Sequence, residues 1–338
     1  MNVVSLPILS ALINFSSRLG SFDFWVRDIR VLHGFLLRPL PFPLLDSLII
    51  RVLKRLPNRR EHWSPHDHSL DWTVFSNPER LRSVTLDVDE ITVRQLILPS
   101  TMTELDLRGT GIFTPRFLTI VQACPHMKRG VFFVEPTLPV SLNGELLFEG
   151  FKLPNLRRFV LASLRNVPLF SWTIPLATRT LSDYITPGSL RSLVLAQVPV
   201  SNEDLLAFLV LTPKLADLRI DLDVNLTHGV QFLPDLSHLK ELITLTIAIQ
   251  PNIDASSRSP FSEDVFLDMI TSRLIPGMRV SPLQSIHLFV YHAWRQWVDA
   301  SLRSLLSRCS ENHQNNPKLN ITMDMVLPPF WLSRNVRA

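Results

Sequence analysis

Apolar residues recur along this chain in one spacing: apolar, two variable residues, apolar, one variable residue, apolar. Copies stand at Val26-Ile29-Val31, Leu45-Leu48-Ile50, Leu81-Val84-Leu86, Met102-Leu105-Leu107, Leu156-Phe159-Leu161, Leu190-Leu193-Leu195, Leu215-Leu218-Ile220, Leu242-Leu245-Ile247 and Leu283-Ile286-Leu288. A weaker copy, Met127-Gly130-Phe132, sits between the fourth and fifth. The last two apolar positions of each copy are two apart, so they share one face of a strand while the residue between them points to the other. Each copy therefore predicts a short strand with one buried side. Such strands acquire a core only when stacked on one another.

The stretches between copies vary, with starts about 20 to about 40 residues apart, which predicts an irregular repeat. Several stretches carry helix signals. Thr114 as N-cap and Pro115 at the first helical position open 117–123, which stops before Pro125. Ser201, with Asp204 three residues on, opens 205–211 before Pro213. Ser262 opens 263–274, where Val265, Phe266, Met269 and Ile270 recur at helical spacing, and 293–308 reads as a last amphipathic helix. Leu319-Ile321-Met323 would then close the sheet.

Strand, helix, strand at this short period predicts an α/β fold: an irregular leucine-rich-repeat solenoid, or horseshoe, with parallel strands on its concave face and helices on its convex face. The expected organisation is an N-terminal cap segment over 1–20, a single repeat domain over 21–330 and a C-terminal tail over 331–338. Insertions rich in Pro, Ser, His or Asn are expected at 58–71 and 251–260.

Composition narrows the function classes. Of 338 residues, 46% are hydrophobic and 19% charged, which suits a large packed core and not disorder. Ten glycines against twenty-six prolines argue against phosphate-cradling loops, which consume glycine. Cys124 and Cys309 stand far apart, so neither a disulfide framework nor a zinc site is indicated. The apolar stretch 3–15 is interrupted by Pro7 and preceded by no Lys or Arg, so it reads as a buried element and not a signal. An intracellular protein, cytoplasmic or nuclear and without membrane contact, is the expectation. The formal charge of +4 is modest, and the basic run Arg51, Lys54, Arg55, Arg59, Arg60 reads as a solvated loop, which argues against nucleic acid as the partner.

Some strings go beyond a generic repeat. SLRSLVLAQVPVSNEDLLAFLVLTPKLADLRI, from Ser189 to Ile220, resembles the repeat common in F-box-like proteins of mushroom-forming fungi. LILPSTMTELDLRGTGIFTPRFLTIVQACPHM and the pair DMITSR and LQSIHL look like further blocks of that family, and the resemblance spans roughly residues 20 to 330. In that family an N-terminal F-box recruits a Skp-type adaptor and a cullin ubiquitin ligase, while the repeats hold the substrate. Residues 1–20 contain Leu6-Pro7 without the acidic residue or the Cys/Trp helix of an F-box, so the resemblance implies the substrate-holding part, with the Skp-type contact in doubt. The Asn expected three residues after the strand of a regular repeat is also replaced, by Asp89, Thr110, Leu164, Val198 and Asp223.

Chemistry-bearing residues cluster most densely at His62, His66, Asp67, His68 and Asp71. Borderline metals accept such ligands. Pro65, however, interrupts the helix that would bring His62 and His66 to one face, which predicts a polar loop and no bound metal. No nucleophile elbow, phosphate-binding loop, dinucleotide fingerprint or zinc-protease helix is present, so no enzyme and no cofactor are expected. The candidate partner-binding residues are those between the apolar strand positions: Glu104, Asp106, Arg108, Arg129, Arg158, Asp217, Arg219 and Asp221. Adjacent strands should bring Arg129 and Arg158 together. The expected function is a protein-binding repeat module for a protein partner of unidentified nature. The alternatives are a free-standing scaffold with no ligase link or a metal-binding protein using the His62 to His68 loop.

Overall fold

The computed structural model describes residues 14–26, 42–52, 70–72, 79–87, 93–96, 98–135, 151–163, 185–186, 189–196, 202–222, 236, 239–249, 283–291, 307 and 320–326. The chain divides into two compact units, 1–165 and 166–338. In the first unit the strands are β1 (Ser21–Val26), β2 (Ser47–Val52), β3 (Leu70–Trp72), β4 (Ser83–Asp87), β5 (Val93–Leu96) and β6 (Glu104–Phe113), then helix α1 (Thr114–Ala123) and β7 (Arg129–Glu135), β8 (Phe151–Lys152) and β9 (Arg158–Ser163). The second contains β10 (Ile185–Thr186), β11 (Ser192–Ala196), helix α2 (Asn202–Val210), β12 (Asp217–Leu222), β13 (Thr244–Ile249), β14 (Ser285–Tyr291) and β15 (Asn320–Val326).

Both units are built on parallel sheets whose strands follow chain order. In the first, the order is β1-β2-β4-β6-β7-β9; in the second, β11-β12-β13-β14-β15. Registers tie equivalent positions of successive copies together. Leu48 stands opposite Val84, Leu218 opposite Leu245, and Leu245 opposite Ile286. The short β3 and β5 form a separate parallel pair with a shift between Leu70 and Asp71, so the end of the expected 58–71 insertion is strand. The closing strand expected at Leu319-Ile321-Met323 is β15, with Ile321 opposite Ile286 and Met323 opposite Leu288.

Every apolar position of the copies from Leu45-Leu48-Ile50 through Leu283-Ile286-Leu288 is buried, including the weak copy at Met127. Gly130 fits that copy because its neighbour is large. A Cβ at Gly130 would lie 2.6 Å from the Phe132 ring and 2.9 Å from Met127 Sδ. The ring fills the volume that a leucine takes up in other copies. It also stacks edge-on against Phe117 of α1, centroids 5.0 Å apart, and at a tilt against Phe159, 6.0 Å apart. α1 thus covers the leucine side of the first sheet.

The first copy differs from expectation. Val26-Ile29-Val31 is not the repeat core: β1 runs Ser21–Val26, with Phe22 opposite Leu48 and Phe24 opposite Ile50. Both phenylalanines are buried and meet edge-on at 4.7 Å. Aromatic side chains occupy the leucine slots, so the copy is Leu19-Phe22-Phe24; Ile29 and Val31 lie outside the described residues.

A second recurrent device precedes several of the strands. The N–H of the first apolar residue donates to the carbonyl three residues back, as Leu45 to Phe42, Met127 to Cys124, Leu156 to Leu153 and Leu215 to Thr212, at 3.0 to 3.2 Å. Pro43, Pro125, Pro154 and Pro213 hold the next turn position, where proline's fixed φ is already correct. This accounts for part of the proline content. The helices expected at 117–123 and 205–211 are α1 and α2, each starting a little earlier and ending before its proline. Those expected at 263–274 and across most of 293–308, the insertion 251–260, and Asp89, Leu164, Val198 and Asp223 lie outside the described residues. Among the described residues no helix is long and apolar enough to cross a membrane.

Candidate functional site

The residue after each repeat's first leucine is held by the backbone. Its carbonyl accepts two N–H groups from the next strand: Arg82 O from Thr103 and Glu104, Thr103 O from Lys128 and Arg129, Lys128 O from Arg157 and Arg158, at 2.7 to 3.1 Å. The same rule runs through the second unit, with Arg191 O accepting from Ala216 and Asp217, and Ala216 O from Ile243 and Thr244. Side chains at these positions therefore form straight rows across the strand starts, spaced by about 4.8 Å per strand.

In the first unit, the candidate residues fall into such rows. Glu104 stands opposite Arg129, and Arg129 opposite Arg158. Glu104 is exposed, but Asp106 is buried, only 8% of its side chain reaching solvent. Arg108 Nε lies 2.9 Å from both Asp106 oxygens, and Arg129 Nη2 approaches at 3.6 Å. Two guanidinium groups thus compensate one desolvated carboxylate, the condition for burying such a charge. Arg129 Nε is buried without a hydrogen-bond partner, so this guanidinium is held by the fold more than by its own hydrogen bonds.

The face carrying these charges is not polar throughout. Val131, Val160 and Ala162 alternate onto it and are fully buried, as are Val194 on β11 and Ala248 on β13. The expectation that the residue between two leucines meets water therefore fails at Val131, Val160 and Val194, whose runs VFFV, FVLA and LVLA read as strands buried on both sides. Charge is concentrated at the strand starts.

In the second unit, Asp217 and Arg219 lie on β12. Arg219 Nε donates to Asp217 Oδ1 at 3.3 Å, and Ser192 Oγ donates to Oδ2 at 2.9 Å. The triplet Asp-Leu-Arg occurs at both Asp106 and Asp217 and closes on itself both times, because residues two apart on a strand share a face. Asp221 stands opposite Ala248 in the register; its side chain is outside the described set. Farther along, Ser285 Oγ lies 2.7 Å from His287 Nε2, and His287 Nδ1 lies 2.6 Å from Thr322 Oγ1. The group behind the imidazole is a hydroxyl and not the carboxylate that orients a catalytic histidine, so this relay organises the sheet face without forming a nucleophilic triad.

Sequence reasoning overlooked the row outside the strands. Lys128 and Arg157 are exposed and stand on neighbouring rungs immediately before Arg129 and Arg158. The doublets Lys128-Arg129 and Arg157-Arg158, each following a repeat's first apolar residue, were the available signal. Arg51, read as part of a basic loop, belongs to β2: Nη1 lies 2.7 Å from Asp23 Oδ1 and the guanidinium sits 5.1 Å from the Trp25 ring centroid. His62, His66, Asp67, His68 and most of the basic run lie outside the described residues, and among the described residues no group of three His, Cys, Asp or Glu side chains could hold a metal ion. Cys124 is buried beside α1, and burial pushes its thiol from the ordinary 9.0 up to about 12. Compared with known proteins, the chain matches no family model and no curated relative.

Proposed function

We propose that this chain is a protein-binding leucine-rich-repeat module, with its parallel strands as the recognition side, and that it corresponds to the substrate-holding half of an F-box-type ubiquitin-ligase adaptor. The observation that carries the reading is the row architecture. Leucines of successive copies are locked in register into the core of each unit, while the strand-start positions beside them are polar or charged and change along the sheet, Ser83 facing Glu104 and Glu104 facing Arg129 in the first unit, and Ser192 facing Asp217 and Asp217 facing Thr244 in the second. That separation lets a constant scaffold present a variable surface, which is how stacked repeats serve as binding modules.

The ligase link rests on the resemblance of 189–220 and of the LTPKLADL block to the fungal F-box-like repeat, and the proline turn at Thr212 to Leu215 is the structural role of that block. The test has two parts. The tagged chain is purified under conditions that retain a Skp-type adaptor on a genuine F-box control; retention supports the ligase link, and its absence leaves a free-standing scaffold. Any captured protein is then made recombinantly and titrated by calorimetry. A saturable complex that weakens on charge reversal at Asp217 and Arg219 or at Arg129 supports the module; a chain that binds no purified candidate overturns it.

A further inference from the structure

We infer that the face of the second unit centred on Thr246 is a docking site for an extended, uncharged segment of a partner protein, an asparagine or glutamine side chain of which reaches the Thr246 hydroxyl. The inference rests on the reading as a protein-binding module and assigns the site and the chemistry of the partner.

Leu218, Leu245 and Ile286 stand opposite one another and are buried in the core, so the residues that follow them, Arg219, Thr246 and His287, form one row on the other face of the sheet. The polar groups on either side of β13 are satisfied among themselves. On β12, Asp217 accepts from Arg219 Nε at 3.3 Å and from Ser192 Oγ at 2.9 Å. On β14, His287 is held from both sides, with Nε2 2.7 Å from Ser285 Oγ and Nδ1 2.6 Å from Thr322 Oγ1. β13 is the gap between these two clusters. Thr246 is only 4% exposed, and among the described residues its hydroxyl has no hydrogen-bond partner.

A buried hydroxyl left unpaired is costly, and a polar group delivered by a partner completes the network. Charge decides which group. Asp217 and Arg219 stand beside β13 as one carboxylate and one guanidinium, 24% and 23% exposed. An entering anion is repelled by the first and an entering cation by the second, while an apolar side chain leaves the hydroxyl unpaired. A carboxamide meets all three groups: its oxygen accepts from the Thr246 hydroxyl or the guanidinium, and its nitrogen donates to the carboxylate. Thr244, half-buried and two residues before Thr246, lies about 6.6 Å along the strand, the interval between alternate side chains of an extended peptide. A segment with carboxamides at alternate positions therefore reaches both hydroxyls when it runs along β13.

The test uses the full chain and a fluorescent peptide of about a dozen residues with glutamine at alternate positions, beside counterparts with glutamate or lysine there, read by anisotropy at about 150 mM salt. Saturable binding of the glutamine peptide is expected, with both charged counterparts weaker by roughly tenfold or more. Thr246→Val keeps the branched shape and removes the hydroxyl. It should weaken the glutamine peptide by roughly fivefold to tenfold without lowering the thermal midpoint, because the hydroxyl has no partner in the fold to lose. Thr246→Ser should keep most of the affinity, and E79Q/R80Q, at exposed positions of the first unit, should bind as the parent does. No binding of the glutamine peptide, unchanged affinity in Thr246→Val, or equal binding of the glutamate peptide overturns the inference. A lowered midpoint in Thr246→Val would assign the hydroxyl to the fold and overturn it as well. A recombinant protein partner whose binding survives Thr246→Val would overturn this site while leaving the protein-binding reading intact.

Discussion

Asp106 and Arg108, two residues apart on β6, close on each other so that the arginine Nε lies 2.9 Å from both carboxylate oxygens. Their side chains remain 8% and 22% exposed. The contact is intramolecular, and it changes the meaning of both residues: they support the strand starts around Arg129 more than they offer free charge to a partner.

Asp106→Ala should therefore destabilise the first unit by about 1–3 kcal/mol, because it leaves Arg108 and Arg129 facing each other in a partly desolvated setting. Arg108→Ala should also destabilise, by leaving the buried carboxylate only the longer contact to Arg129 at 3.6 Å. Urea unfolding of the two single variants and the double variant checks this: the double should cost less than the sum, and strict additivity would disprove the coupling.

Gly130 and Phe132 should show the same kind of coupling in the core. Gly130→Leu collides with the Phe132 ring, since even a Cβ would lie 2.6 Å from it, and should cost about 1–3 kcal/mol. Phe132→Leu alone opens a cavity beside Phe117 and Phe159. Combining the two rebuilds the regular leucine pattern, so the double variant should be more stable than Gly130→Leu. Thermal midpoints measured on all three decide it.

The Cys124 thiol should resist a disulfide reagent at pH about 8, with peptide mass mapping used to separate it from Cys309. Its folded-state value is raised from 9.0 to about 12, so the folded chain holds that proton more tightly than the unfolded one. The associated stability is present in full below pH 9.0 and is lost as pH climbs toward about 12. Unfolding midpoints at pH about 8 and about 10 should fall more for the parent than for Cys124→Ala. Equal falls would contradict the assignment.

Arg51→Ala should be mild. Its pair with Asp23 is partly exposed, at 27% and 52%, and its contact with Trp25 is at the sheet margin. A loss of at most about 1 kcal/mol is expected, together with a change in tryptophan fluorescence. A loss of several kcal/mol would mean that this cluster anchors β1.

Legibility differed by level. The leucine copies from Leu45 to Leu288 could be read because their spacing reports strand alternation directly, and burial follows from it. The first copy was misread at Val26 because Leu19-Phe22-Phe24 and Val26-Ile29-Val31 offer the same spacing a few residues apart, and only the ladder, with Phe22 opposite Leu48 and Phe24 opposite Ile50, separates them. For the site, Arg129 and Arg158 were recognisable as strand residues, while Lys128 and Arg157 were not, because a residue before a strand gains a defined neighbour only through the ladder. The unbroken apolar run Phe159 to Ala162 carried the signal that both faces of β9 are buried, and a reading by alternation passed over it because alternation identifies one face only.

What the amino-acid sequence determined by itself is the repeat: apolar spacing dictates which side chains must leave water, and proline before the first apolar residue marks where several of the turns, those at Pro43, Pro125, Pro154 and Pro213, enter their strands. Tertiary structure decided the contacts that reach across strands beyond the expected Arg129–Arg158 neighbours. The approach of Arg129 to Asp106 and the placing of Lys128 beside Arg157 depend on strands brought into register across stretches of unequal length, and hydrogen bonds between rungs establish that register.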